Sequence, residues 1–541
     1  MKTSLPRACL LLPVAPVMML AATPATAAGV TVHPYLEVQQ VFSADFSGHD
    51  NDAVTYTGVG AGIDVTLDTQ HLHGQIDYRY DHYFAESKQY RDTSTQTGLA
   101  NVVYQATPEI SLNAAGIAAR TRGNFGTRTP GLLYGDTGNT EQVYAVEAGP
   151  SYAGHLGDLT LNADYRFGYT KTTDGQGDYD LGPGQPVLQN NFATTDQIVD
   201  AAIGMAPRAT DLPFGWQVSG GWTQDNVHFL DARMQGYFGR ADITVPVSQT
   251  LALEGGAGYE NNRATQSAIL TDAAGNAILD SHRHLQADKS KKRLLSYDED
   301  GLIWDVGVLW RPSARTTLEI RGGRRYGETV VTGNFTHQIS PDSSVQVVAY
   351  DDIQSFGRQL TTEAGALPTS FNDAGPAVAS PLSGCVFGTN GGQGSCIPAL
   401  SSVNSNFYRS RGVYANYSKS SGLWVYGIGI GYDNRHYLAP EFGAEILSFN
   451  GQTDQSVTID GVVERRLSPV SNVTVNALGA WYKGSAFGSN SYYSYGATGT
   501  YNRSFSPHLS GSASLGVYSG SGDNSGDDVI GTGLVSLRYQ L

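Results

Sequence analysis

The side chains that could support nucleophilic or acid–base catalysis are few and widely separated in this chain of 541 residues. Histidine is examined first, because it pairs with serine or aspartate in many hydrolytic sites. The candidates are His282 and His284, which lie together in a polar stretch, and His436, which follows Asp433 by three positions. No nucleophile can be placed beside any of them from the sequence. We therefore expect that the protein is not an enzyme.

The sequence gives as little support for a metal or cofactor site as for a catalytic one. His282 and His284 lack the cysteine or carboxylate neighbours that would complete a metal site. The run Gly429-Ile430-Gly431 lies in a strand-like pattern with no helix after it, so it does not predict a phosphate-binding loop. We expect neither a bound metal nor a cofactor.

Acidic and basic residues recur at a spacing of two, and residues two apart share one face of a strand. Charge on the lipid face of a membrane barrel would cost about 2–4 kcal/mol near the midplane, so such pairs should face the lumen. They could form a charge network that holds the wall together or a selectivity surface for a polar solute, and the sequence leaves both roles open. The candidate lumen-facing residues are Asp77, Arg79, Asp164, Arg166, Glu319 and Arg321.

The stretches that carry these pairs alternate between apolar and polar residues for longer than soluble strands usually do. From Leu159 to Tyr169 every second residue is apolar or aromatic, and Leu72 to Tyr80 shows the same register. A strand needs about 9–11 residues to cross a bilayer. The pattern therefore predicts transmembrane strands, and we find no convincing amphipathic helix between them.

The connections between strands alternate in length. Short turns often contain proline, as at Thr107-Pro108 and Ser506-Pro507, whereas Thr172–Thr194 and Gln354–Val403 are long and polar. Outer-membrane barrels combine short periplasmic turns with long extracellular loops. We therefore predict an all-β fold, a single large antiparallel transmembrane β-barrel of about 22 strands.

The chain ends in a regular strand pattern. Val535, Leu537, Tyr539 and Leu541 are apolar and alternate with polar residues up to the last position. Pairing of this strand with the first one, near Val32–Phe42, would leave no open sheet edge. We expect the same C-terminal strand to contact the barrel-assembly machinery.

The first residues have the pattern of a secretory signal. Lys2 and Arg7 precede the apolar stretch Leu10–Ala22, and Ala25-Thr26-Ala27 offers a cleavage site of small residues. We predict a signal peptide over residues 1–27 and one barrel domain over residues 28–541. The formal net charge is −16, and an acidic chain repels phosphates, so we expect no nucleic-acid partner.

Two cysteines remain after the signal segment, Cys385 and Cys396, and both lie in one Gly/Ser-rich loop. In an oxidising compartment we expect them to form a disulfide that pins this loop.

About 22 strands would enclose a wide lumen, and the strand pattern leaves no room for an N-terminal plug. The loops Arg263–Gly301 and Gln354–Val403 are then the candidates for narrowing the channel. The first contains a basic run, Lys289 to Arg293, that is either a solvated surface or a contact for anionic polysaccharide or lipopolysaccharide.

Several short motifs resemble one known group of barrels. They are Val32–Glu37, Arg321–Glu328, Gly333–Pro341 and Ala349–Ile353. With these motifs the chain resembles the β-barrel porin group found with exopolysaccharide and PEP-CTERM sorting loci in proteobacteria. The resemblance implies an outer-membrane barrel associated with surface polysaccharide, and it supplies no catalytic or binding residues.

We therefore expect a porin-like channel in the cell outer membrane, linked to exopolysaccharide export or surface polysaccharide. The expected partners are membrane lipid, lipopolysaccharide, the assembly machinery and polysaccharide. Two alternatives stay open: a non-conducting structural or adhesive barrel that acts through its loops, and, less favoured, a barrel enzyme.

Overall fold

The fold is given by a computed structural model. It describes residues 29–47, 53–86, 92–122, 140–174, 178–179, 188–189, 191–209, 211–273, 276–281, 284–371, 384–389, 392–440, 450–485, 490–523 and 525–541. The signal segment predicted over residues 1–27 lies outside these residues.

One antiparallel sheet of 22 strands makes up most of the chain. Its first eleven strands are β1 Val30–Asp45, β2 Ala53–Asp68, β3 Leu72–Ala85, β4 Thr93–Gln105, β5 Ile110–Arg122, β6 Thr140–Leu156, β7 Leu159–Asp174, β8 Ala193–Met205, β9 Gly215–Val227, β10 Ala232–Pro246 and β11 Leu251–Gln266. The others are β12 Leu294–Ser313, β13 Thr316–Arg325, β14 Glu328–Ser340, β15 Ser343–Gln354, β16 Phe407–Ser421, β17 Trp424–Leu438, β18 Thr453–Ser468, β19 Ser471–Gly484, β20 Asn490–Ser504, β21 Leu509–Gly522 and β22 Ser525–Gln540.

The sheet closes on itself. Each strand pairs with the next in the chain, and β1 pairs with both β2 and β22. In the closing seam Leu36 lies opposite Tyr539 and Val38 opposite Leu537. The predicted barrel, its strand number and the pairing of the last strand with the first are confirmed.

The two faces of the wall differ in polarity, because side chains alternate between them along each strand. On β1, Leu36, Val38 and Phe42 are exposed on the outside, whereas Glu37 and Gln39 are buried on the inside. A closed barrel with an apolar outer face satisfies every backbone hydrogen bond within the sheet, which is how strands cross a membrane.

The connections at one end of the barrel are short, as predicted. We call this the short-turn end; its connections include residues 69–71, 157–158, 341–342 and 422–423. At the other, long-loop end, the connections include residues 123–139, 175–192, 267–293 and 355–406. Two connections at the long-loop end have only two residues: residues 523–524 join β21 to β22, and Tyr326 and Gly327 join β13 to β14. Tyr326 and Gly327 have positive φ, 55° and 73°, which fits a tight hairpin turn.

The described residues of the connection 355–406 are 355–371, 384–389 and 392–406, and they are named here the lumen segment. They contain the α-helix α1 Phe356–Gly365, the 3-10 helix Pro398–Ser401 and a two-stranded hairpin, Cys385–Val386 with Ser395–Cys396. The sequence indicates no convincing amphipathic helix, and α1 is a short helix that its pattern does not reveal. Its polar residues Arg358 and Gln359 are buried together with the apolar Phe356 and Leu360, unlike the solvent-facing polar side of a surface helix. Ser355 caps α1 by accepting a hydrogen bond from the backbone N–H of Arg358.

The remaining elements are small and lie in the other connections at the long-loop end. They are the 3-10 helix Phe229–Asp231 and the short hairpins Asp178–Tyr179 with Leu188–Gln189 and Ala268–Ile269 with Ala287–Asp288. Within the described ranges, no helix has the length and apolar character required to span a membrane.

Candidate functional site in the barrel lumen

The lumen segment folds into the barrel and forms its apolar core. Fully or almost fully buried side chains of the segment pack against inward-facing residues of the wall. From the segment these are Phe356, Leu360, Leu367, Ile397 and Leu400, and from the wall Ile117, Val143, Val227, Met234 and Phe407. The wall is thus not uniformly wet: part of its inner face is apolar where the segment lies against it.

Helix α1 is held to the wall by polar contacts as well. The Arg358 guanidinium lies 3.4 Å from the carboxylate of Asp225 on β9, which also accepts a hydrogen bond from the backbone of Ser355. The Thr361 hydroxyl donates to Asp196 on β8 at 3.2 Å. Arg358 and Asp225 are both buried, and an ion pair in such a place depends on both partners being present.

Arg435 on β17 holds the part of the segment that contains the 3-10 helix Pro398–Ser401. Its guanidinium donates to the carbonyl oxygens of Pro398, Ala399 and Ser402 at 3.0, 3.1 and 2.6 Å. Its Nε donates to Asp433 Oδ2 at 2.8 Å. The side chain is almost fully buried, so these carbonyl oxygens accept the hydrogen bonds that water would accept at the surface.

Glu363 connects helix α1 with the 3-10 helix. Its carboxylate accepts hydrogen bonds from the Gln359 amide at 2.8 Å and from the backbone N–H of Ala399 at 3.0 Å. Gln359 in turn accepts a hydrogen bond from the Tyr408 hydroxyl of β16 at 2.6 Å. Burial raises the pKa of Glu363 to about 8, although the two hydrogen bonds and nearby Arg435 lower it.

The segment extends deep into the lumen. The Gln75 side chain, four residues into β3 from the short-turn end, accepts a hydrogen bond from the backbone of Phe371 at 2.9 Å. On the far side Ser418, four residues before the end of β16, donates to the Gly392 carbonyl at 2.5 Å. Of the two loops expected to narrow the channel, Gln354–Val403 therefore does so.

Cys385 and Cys396 are joined by a disulfide that closes the small hairpin inside the lumen. The hairpin lies on β17, where a Cβ atom added to Gly429 would come within 2.2 Å of the Cys385 sulfur, and one added to Gly427 within 2.6 Å of the Phe387 ring. Gly427 and Gly429 of β17 thus leave room for the hairpin, because they have no side chain. They lie inside a strand and do not form a phosphate-binding loop.

All six charged residues predicted for the lumen lie on the inner face of the wall. On the inner face, β3 carries Asp77 and Arg79, β7 carries Asp164 and Arg166, and β13 carries Glu319 and Arg321. Their neighbours on the outer face, such as Tyr78, Phe167 and Ile320, are exposed and apolar or aromatic.

Most ion pairs of these six residues connect different strands. A spacing of two residues along one strand could not predict these partners. Arg166 lies 3.5 Å from Glu147 on β6. Arg321 lies 3.0 Å from Asp242, 2.8 Å from Glu254 and 3.0 Å from Asp305. A second arginine, Arg240, contacts Asp242 and Asp305 as well, at 2.6 and 2.8 Å, so this wall carries a connected charge network.

Two of the three histidine candidates, His284 and His436, lie in the described residues, and they are in different parts of the fold. His436 is exposed, and Asp433 lies on the opposite, inner face of the same strand. His284 contacts Asp280 at 3.2 Å, and His282 lies outside the described residues. In the part of the chain that the structure describes, no three metal-ligating side chains are grouped so that they could hold an ion.

A polar cavity of about 430 Å³ lies at the short-turn end of the lumen, against β18–β22. Hydroxyl and carboxamide groups dominate its lining, with Arg466 and Arg538 among the charged residues. Nothing in the sequence singled out this wall, because serine, threonine and asparagine at alternate positions predict only a wet face.

Comparison of the sequence with protein-family profiles and with curated proteins finds no match. Solved structures do match in fold. The FrpB iron transporter from Neisseria meningitidis is 10% identical, with a TM-score of 0.43, and the match covers 94% of this chain and 81% of that one. The ferric-catecholate import receptor Fiu from E. coli K12 is 8% identical with a TM-score of 0.42, over 94% and 81%.

A third similar structure is P. aeruginosa FpvA bound to heterologous pyoverdines, which is 8% identical with a TM-score of 0.44, over 94% of this chain and 72% of that one. At these identities and TM-scores the likeness carries no argument about what this protein transports or binds. None of these three structures is described as a member of the exopolysaccharide-associated group that the sequence resembles.

Proposed function

We propose that this protein is an outer-membrane conduit for polar solutes whose lumen is gated by the lumen segment of the connection 355–406. The observation that carries the proposal is the insertion of this segment, which fills part of a closed barrel and is held there by side chains of several strands. The gate belongs to a connection between neighbouring strands, β15 and β16, so it can leave the lumen without opening the barrel.

The contacts of the segment support a gate that can be displaced. Its apolar side chains are buried, and its attachment to the wall also uses polar groups on separate strands, among them the contacts of Arg358, Thr361 and Arg435. Neighbouring backbone groups of the wall stay paired within the sheet whether or not the segment is present. Release of the segment would therefore cost its own packing and leave the barrel intact.

Conductance in planar bilayers tests the proposal. We expect the purified protein to show small or intermittent currents, and a variant in which residues 356–403 are replaced by a short Gly/Ser linker to conduct strongly and continuously. The matched control deletes residues 268–292 from another connection at the long-loop end and should conduct like the unchanged protein. A folded linker variant that carries no current would contradict the proposal.

We further propose that the solute is connected with surface polysaccharide, as the motifs shared with the exopolysaccharide-associated barrels imply. Support for this step comes from the sequence resemblance alone. Deletion of the gene should reduce surface polysaccharide, and the deletion should be complemented by the full chain. Unchanged polysaccharide in the deletion strain would contradict it.

A second candidate function is a non-conducting structural barrel. It is favoured by the packing of Phe356, Leu360, Ile397 and Leu400, which are fully buried like the core of a soluble domain. In that case the linker variant would conduct, but the unchanged protein would stay closed under every condition of pH, voltage and solute that is applied.

A further inference from the structure

The wall formed by β18–β22 has an unusual composition on its inner face at the short-turn end. Inward positions there are occupied by small hydroxyl and carboxamide side chains, and the cavity of about 430 Å³ lies against them. This volume falls within the range of about 300–1,000 Å³ that is usual for small-molecule sites.

Part of this lining is fixed by hydrogen bonds between the strands. The Asn502 amide donates to Asn472 at 2.9 Å, and the Asn472 amide donates to the carboxylate of Glu464 at 3.1 Å. The hydroxyls of Ser512 and Ser536 are 2.8 Å apart. These groups form a network on the wall that is arranged before any solute arrives.

Other lining groups are left available. The side chains of Thr474, Asn476 and Ser510 make no hydrogen bond to the described part of the protein, although all three line the cavity. A hydroxyl and a carboxamide each offer both donors and acceptors. A solute with many hydroxyl groups is the partner that such a surface can satisfy.

The charges around the cavity add a second preference. Arg538 is engaged, at 3.2 Å from Glu37 and 3.7 Å from Asp64. Arg466 is exposed at the mouth and makes no ion pair with the residues that the structure describes. In a chain with a net charge of −16, an available guanidinium beside a polar cavity favours a carboxylate or another anionic group.

We infer that this cavity is a binding site for an anionic, hydroxyl-rich solute of the acidic-sugar class, with Asn476 contacting hydroxyl groups and Arg466 contacting the acid. The inference rests on the proposed conduit, in which this cavity would bind the solute at the periplasmic end. Its evidence is the composition of the cavity, which is independent of the sequence resemblance.

Titration calorimetry of the protein, in a detergent without a sugar headgroup, tests the site without requiring that the protein conducts. The probes are three trisaccharides of similar size: anionic trigalacturonate, neutral maltotriose and the cationic deacetylated chitosan trimer. We expect trigalacturonate to bind about two- to fivefold more tightly than maltotriose at low salt, because one exposed charge contributes little, and the cationic trimer to bind most weakly.

Two variants separate the two roles. Asn476→Leu should weaken trigalacturonate and maltotriose alike, by about fivefold for one lost hydrogen bond. Arg466→Gln should leave maltotriose unchanged and remove the advantage of trigalacturonate. The controls are Asn113→Leu, on the lumen face of β5, and Arg315→Gln, an exposed arginine in another turn at the same end; neither should change binding.

Three results would overturn the inference. They are no binding of trigalacturonate or maltotriose, equal binding of all three probes, and equal effects of Arg315→Gln and Arg466→Gln on the binding of trigalacturonate. If the linker variant lacking residues 356–403 also fails to conduct, the conduit itself is wrong. If that variant conducts while the sugars do not bind, only the site is wrong.

Discussion

At the scale of single residues, Glu363 occupies a position that makes the lumen segment sensitive to pH. Burial raises the pKa of its carboxyl group from 4.5 to about 8. The packed segment therefore holds the proton more tightly than the released segment does. Because the packed state binds more protons between these two values, its stability is greatest below pH 4.5 and falls as the pH rises to about 8.

The charged and titratable groups near Glu363 are Arg435, Asp433, Tyr350, Tyr408 and Tyr414. Arg435 favours the ionised form of Glu363 and Asp433 opposes it, and both actions are smaller than that of burial. The direction of the pH dependence is thus set by the buried position of the carboxyl group.

We predict that conductance of the unchanged protein rises between pH 5 and pH 8.5, by at most about tenfold per pH unit. Glu363→Gln keeps the shape and the acceptor oxygen but cannot ionise, so the variant should stay at the low conductance over the whole range. Bilayer recordings at several pH values measure this. A variant that retains the full pH response would show that another group is responsible.

At the scale of elements, the hairpin closed by Cys385 and Cys396 is the part of the lumen segment that carries a covalent cross-link. A disulfide across a separation of 11 residues contributes roughly 2–3 kcal/mol by restricting the released chain. The two-residue strands beside it, Cys385–Val386 and Ser395–Cys396, are too short to be stable alone.

We predict that Cys385→Ser together with Cys396→Ser frees this hairpin without unfolding the barrel. Hydrogen exchange should accelerate in residues 384–396 and stay slow in β17, which lies beneath the hairpin. Addition of a thiol reductant to the unchanged protein should have the same effect, and a reductant should not alter the serine variant. Slow exchange in the variant would mean that packing alone orders the hairpin.

The strands could be predicted from the sequence because their signal is local. Alternation along Leu159–Tyr169 decides which side chains face inward, and it does so without knowledge of any partner strand. For the same reason Asp164 and Arg166 could be assigned to the inner face, but not the contact of Arg166 with Glu147.

The lumen segment could not be predicted in the same way. It is stabilised by contacts between residues that are far apart in the chain, such as Asn101 with Leu367, 266 positions away, and Thr121 with Leu400, 279 positions away. Its helix has only ten residues and buries polar side chains such as Arg358 and Gln359, which a sequence pattern does not predict. One local signal is Ser355, a good residue for the start of a helix.

At the scale of the whole molecule, the closing seam between β1 and β22 decides whether the barrel exists. The seam combines backbone pairing from Tyr35 with Gln540 to Asp45 with Ile530 with an inner contact, in which the Arg538 guanidinium lies 3.8 Å from the centre of the Tyr35 ring. Without closure, β1 and β22 would each present unpaired backbone groups to lipid, at a cost of several kcal/mol per group.

We predict that deletion of Val535–Leu541 prevents assembly into the outer membrane, because it removes six of the eleven residue pairs of this seam and the end of the strand expected to contact the assembly machinery. Membrane fractionation and the heat-dependent shift of the folded band in gel electrophoresis measure the outcome. Tyr539→Ala keeps the backbone pairing and removes one aromatic side chain. This variant therefore shows whether assembly requires closure of the sheet or recognition of the Tyr539 side chain by the assembly machinery. Normal assembly of the deleted chain would show that the barrel closes through another strand, and the architecture described for residues 29–541 would then need a different seam.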